Sequence, residues 1–150
     1  MRVRAELKSL FSMEIPGGLE DYTPGDPAHF GIRVMAFIGT AETDKVDSFD
    51  VVVCTPSWLS ENFNDPRLQS SVWEPPGIRF GNRFLFMQSW DYNALHTAVT
   101  DLCAYWEGHD WGTLADRIGR YIPWEFDAHY DAFVDETAGD RPPFPPAEQP

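Results

Sequence analysis

SFDVVVCTPSWL, Ser48 to Leu59, is the stretch from which the rest of the chain can be read. Val51, Val52 and Val53 are β-branched and stiff at χ1, which suits a pleated surface. With Phe49 and Cys54 they make a run too apolar for an exposed edge, so it predicts an inner strand. Thr55 can accept a hydrogen bond from a free amide at a helix N-terminus. Pro56 fits the first helical position, where its missing N–H would have been unpaired anyway. A short helix over Pro56 to Phe63 is expected directly after the strand.

Upstream, FGIRVMAFIGT (Phe30 to Thr40) is a second strand, and the polar AETDKVD makes it the hairpin partner of the central one. Val3 to Phe11 alternates, with Val3, Ala5, Leu7 and Phe11 on one side and Arg4, Glu6, Lys8 and Leu10 on the other, as in a half-buried strand. Between these two, Ser12 to Pro27 is a long loop rich in proline and glycine that Ile15, Leu19 and Tyr22 pin to the body. Downstream, Asn64 to Gly77 is irregular, and Ile78 to Gln88 predicts a fourth strand with a bulge or bend at Gly81-Asn82. Asp91 caps a helix from Tyr92 to Glu107 whose inner face is Leu95, Ala98, Val99, Leu102, Cys103 and Trp106, with Gly108 at its left-handed end. Asp110 caps another, Trp111 to Tyr121, which Pro123 stops, and Trp124 and Phe126 fold back onto the core.

Short connections favour antiparallel neighbours, and helices gathered late in the chain cover one face of a sheet. The expectation is an α+β two-layer sandwich, an antiparallel sheet of about four strands with two C-terminal helices packed on one face. Residues 1–127 form its single domain. Residues 128–150 are an acidic, proline-rich tail with no apolar periodicity, expected to be mobile from about Ala138.

The formal net charge is −13, and the part up to Phe126 by itself carries 18 acidic against 10 basic residues, a net −8. Such a field repels nucleic acid and membranes and attracts a basic protein; alternatively, it serves only solubility. No run of about 18 apolar residues occurs and the first residues alternate, so neither a membrane span nor a secretion signal is expected. Cys54 and Cys103 sit inside apolar segments and read as core thiols, for which a reducing cytoplasm is the simplest setting.

His29, His96, His109 and His129 are scattered, without ligand spacing, so no metal or other cofactor is expected. Ile15-Pro16-Gly17-Gly18 lacks the helix that a phosphate loop needs. Neither Glu125 with Asp127 nor Asp47 with Asp50 is placed in a cleft, and Ser57 in TPSW is helix-start chemistry rather than a nucleophile elbow. No catalytic residue is nominated, and an enzyme is not expected. Trp58, Trp106, Trp111 and Trp124 fall where helices meet the core, whereas Trp73, in SSVWEPPG, is the candidate for an exposed interface anchor.

The ordered pieces AELKSLFS, LEDYTPGDPAHF, FIG, SFDVVVCTPSWLSEN, GNRFLFMQSWDYNAL and DWGTLADRIGRYIPWEF, from Val3 to about Asp127, resemble the immunity protein 8 family of bacterial polymorphic toxin systems. The resemblance implies a small cytoplasmic α+β protein that is not an enzyme and that binds and blocks a toxin encoded beside it. It assigns no binding residues. From exposure and charge, the loop acids Glu20, Asp21 and Asp26 and the hairpin acids Glu42, Asp44 and Asp47 are the candidates for holding a basic toxin, with Trp73 beside them. For any one acid, a solvated turn residue without a partner is the plain alternative. The competing function is a small-ligand-binding domain or hydrolase with a pocket lined by Trp and carboxylates.

Overall fold

The computed structural model describes residues 2–68 and 73–126. Its elements, in chain order, are β1 (Val3–Phe11), β2 (Gly31–Thr40), β3 (Asp47–Cys54), α1 (Pro56–Glu61), β4 (Phe84–Phe86), α2 (Tyr92–Tyr105), β5 (Glu107–Gly108) and α3 (Trp111–Gly119). Single 3-10 turns stand at Leu19–Asp21, Pro66–Leu68 and Gly81–Arg83. The proline-rich tail, and with it the expectation of mobility, lies outside the described residues.

The valine run is an inner strand, as its composition requires: the sheet order is β4-β3-β2-β1-β5. Its two faces go to different cores. Phe49, Val51 and Val53 join Ile32, Val34, Ala36 and Ile38 of β2 under α2 and α3, which contribute Leu95, Val99, Cys103, Leu114, Ala115 and Ile118. Val52 and Cys54 point the other way, into a smaller cluster with Leu68, Trp58, Leu59 and Phe84. The long helices therefore cover one face as expected, but α1 and the segment after it cover part of the second. Trp58 lies directly over Gly31, where any Cβ would stand 2.3 Å from the indole, so only glycine fits there.

Four features differ from the expectation. The sheet is mixed: β4 pairs with β3 in parallel, Val52↔Phe84 to Cys54↔Phe86, while the other pairings are antiparallel. The rule of short antiparallel connections does not apply at this joint, because the chain spends residues 55–83 on α1 and a long excursion before it returns. β4 is also shorter than Ile78 to Gln88, since Gly81–Arg83 coils and Ile78 and Phe80 are exposed. A fifth strand, β5, adds Val3↔Gly108 and Arg4↔Glu107 at the far edge. To reach it, α2 ends at Tyr105, Trp106 turns extended, and Gly108 is a strand residue rather than a left-handed cap. Lastly, β1 bulges between Leu7 and Ser9, which reverses its alternation: Leu10 is buried and Phe11 is 44% exposed.

The caps follow the sequence. Thr55, Asp91 and Asp110 each accept a hydrogen bond from a backbone N–H of the helix they precede. Leu19, Ile15 and Tyr22 do pin the β1–β2 loop, and Trp124 stacks on Phe49 at 6.3 Å while Phe126 stays half exposed.

Candidate partner-binding surface

α1 begins where β3 ends, so its exposed side stands beside β4, the edge of the sheet. Pro56, Leu59 and Ser60 of α1, Phe63 just beyond it and Phe86 of β4 line an open groove of roughly 330 Å³. Phe86 is 50% exposed and stacks on Phe84, with centroids 5.9 Å apart. No carboxylate and no tryptophan lines this groove, in contrast to the pocket that the competing function requires.

The wall continues into the excursion between α1 and β4, which a buried ion pair holds in shape. Arg79 Nη1 donates to Glu74 Oε1 at 2.8 Å, with both side chains almost fully buried. Two further donors of the guanidinium are used close by: Nε reaches the Phe63 carbonyl at 2.6 Å and Nη2 the Asp65 carbonyl at 2.8 Å. The second carboxylate oxygen of Glu74 accepts from the Phe80 N–H at 2.7 Å, and Gly77, at φ +85°, donates its N–H to Asn64 Oδ1. A planar fork of fixed donors thus ties residues 74–80 to 63–65. Trp73, Ile78 and Phe80, which flank or belong to this clip, are exposed.

Of the sequence-predicted acids, Glu20 and Asp21 lie on the 3-10 turn Leu19–Asp21, and Asp26 accepts from the Ala28 N–H; all three are exposed. Glu42 and Asp44 are exposed in the β2–β3 hairpin. β2 separates the two groups, and its ten residues span roughly 33 Å, so they belong to opposite ends of the sheet. Asp47 is not in the hairpin loop. It opens β3, and its Oδ2 accepts from Trp111 Nε1 at 2.7 Å and Trp124 Nε1 at 3.0 Å.

Nothing around His29 in the sequence singles it out, yet it joins the β1–β2 loop to α1. Its Nδ1 lies 2.9 Å from Ser57 Oγ and its Nε2 3.2 Å from Glu61 Oε1. The connectivity is that of a nucleophile triad, but the Glu61 side chain is 71% exposed and gives the imidazole no water-excluded acid, so the cluster serves as a tie. Phe63, Ile78, Phe80 and Phe86 likewise carry no signal in the sequence. The exposure of Ile78, Phe80 and Phe86 follows from the shortness of β4 and from the Glu74–Arg79 pair, neither of which has a local signature.

Arg67 hydrogen-bonds the Asp65 carboxylate and holds it down to about 2, so that exposed guanidinium is committed. Among the described residues no group of three or more His, Cys, Asp or Glu could hold a metal ion, and no helix is long and apolar enough to cross a membrane. A family model described as Immunity protein 8 matches residues 5–129. No curated protein and no solved structure matches the chain.

Proposed function

The chain belongs to the immunity protein 8 family, and from that premise we propose that it binds a cognate toxin of a polymorphic toxin system and neutralises it by occlusion, in the cytoplasm of the cell that makes both. The family match, over residues 5–129, carries this reading. The surface is compatible with it: an open apolar groove beside a braced loop offers a partner somewhere to seat, and its lining offers no acid, base or nucleophile except the Ser60 hydroxyl. The net −8 of the chain up to Phe126 favours a basic toxin, such as a nuclease, over nucleic acid or a membrane as the partner. The protein then acts as a stoichiometric inhibitor, not as an enzyme.

Co-expression with the product of the adjacent toxin gene tests the reading. Wild-type protein should restore growth and co-purify with that product, with association that slows as salt is raised. Neither rescue nor binding would end the immunity reading.

A further inference from the structure

We propose that the chain straps its own sheet: Tyr130, Phe133 and Val134, in the segment that follows Phe126, cover the open half of the second face, seated on Met35 and Phe37. The contact lies within one chain and does not depend on the immunity reading.

The half-face is open because its cover stops short. Val34, Ala36 and Ile38 of β2 lie under the long helices, which puts Met35 and Phe37 on the opposite side. Cross-strand partners point the same way, so Phe11, Met35 and Asp50 form one row across β1, β2 and β3, and Ser9, Phe37 and Ser48 form the next. α1 and the segment after it reach only the preceding row, that of Arg33 and Val52. There Leu68 shares a cluster with Val52, and Arg33 Nη2 donates to the Arg67 carbonyl at 3.0 Å. Met35 and Phe37 belong to neither apolar cluster, and Phe11 beside them is exposed.

Size and position choose the occupant. Two rows across three strands measure about 10 Å by 7 Å between backbone axes, which suits one crossing segment and falls far short of the ~800 Å² that a partner protein needs. The chain delivers such a segment to the rim. Asp50 N–H donates to the Pro123 carbonyl at 3.0 Å, Glu125 N–H to the Ser48 carbonyl at 3.1 Å, and Ser48 N–H to Glu125 Oε1. Phe126 therefore leaves β3 beside Ser48, the cross-strand neighbour of Phe37. Tyr130 follows four residues later, and four extended residues reach about 13 Å, more than the width from β3 to β1. Tyr130, Phe133 and Val134 all precede Pro142, the first proline of the tail, so nothing in their backbone bars them from lying along the sheet. The family match also runs past Phe126, to residue 129.

The test is proton NMR on the full chain with isotope-labelled methionine methyl groups, the Met35 signal being assigned with Met35→Leu. That methyl group should show through-space contacts to the rings of Tyr130 and Phe133. Tyr130→Ser with Phe133→Ser should abolish them, shift the Met35 signal and lower Tm by about 4 °C, whereas Phe144→Ser should leave signal and Tm unchanged. Absence of the ring contacts in wild type overturns the proposal, whatever the double substitution does to Tm. Contacts seen only between differently labelled chains would make a second copy the occupant. A Met35 signal that is free of ring contacts until the inactivated product of the adjacent toxin gene is added would make that toxin the occupant. Either result also overturns the strap.

Discussion

Asp47 shows how a residue can be plain in the sequence while its role is not. As one of several acids around a polar connection it reads as a free surface charge, yet its Oδ2 serves two indoles that are 64 and 77 residues away. Asp47→Ala would leave two half-buried N–H groups without an acceptor and should cost about 2–3 kcal/mol in urea unfolding, with Asp47→Asn nearer 1 kcal/mol. A loss below about 0.5 kcal/mol for Asp47→Ala would mean that water replaces it. The cysteines were legible, because an apolar neighbourhood is a local property: both are free and buried. Burial pushes the Cys54 thiol up to about 11 and that of Cys103 to about 12, from an ordinary 9.0. Above pH 9.0 the unfolded chain releases these protons while the folded one keeps them, so stability should fall as pH rises from there towards 11. Cys54→Ala with Cys103→Ala should flatten that slope, and native wild type should resist a thiol reagent until it is denatured. Rapid labelling of the native protein would contradict the burial.

Elements were legible wherever their cause lies within a few residues. The caps at Thr55, Asp91 and Asp110, the proline opening α1 and the apolar runs of β1, β2 and β3 are all of this kind. β5 was not, because two residues without periodicity become a strand only when β1 is there to pair them. The bulge in β1 is a subtler case: strict alternation puts Phe11 inside, and one extra residue puts Leu10 there instead. Leu10→Ala should therefore cost about 2.5 kcal/mol or more and Phe11→Ala less than about 1 kcal/mol, as read from denaturant midpoints; the reverse order would restore the unbulged register. The clip at residues 74–80 depends on a pair that no spacing rule announces. Glu74→Gln leaves the Arg79 charge buried without its counter-ion, which should cost about 3 kcal/mol and speed amide exchange across residues 74–80. Unchanged exchange there would mean that the loop is held by its other hydrogen bonds.

For the molecule as a whole, the acidic balance was plain from the sequence, but the distribution of the charge was not, because only the topology shows that the two groups of candidate acids face opposite ends of the sheet. Their self-repulsion should make the thermal midpoint rise by a few degrees between low and physiological ionic strength, and Glu42→Lys with Asp44→Lys should lessen that rise; a flat salt response would show that the charges are too dispersed to matter. The parallel joint between β3 and β4 sets an order of events as well as a shape. The β2–β3 hairpin closes over residues 41–46, whereas β4 must close residues 55–83, at an extra entropic cost on the order of 1 kcal/mol, and it is rewarded with only three paired residues. By the same measure β4 should form after the β2–β3 hairpin and fray before it. On warming, the wall of the groove that Phe86 supplies should open while β2 and β3 still protect their amides, so this corner of the surface would lose its shape at a temperature where the rest of the fold still stands.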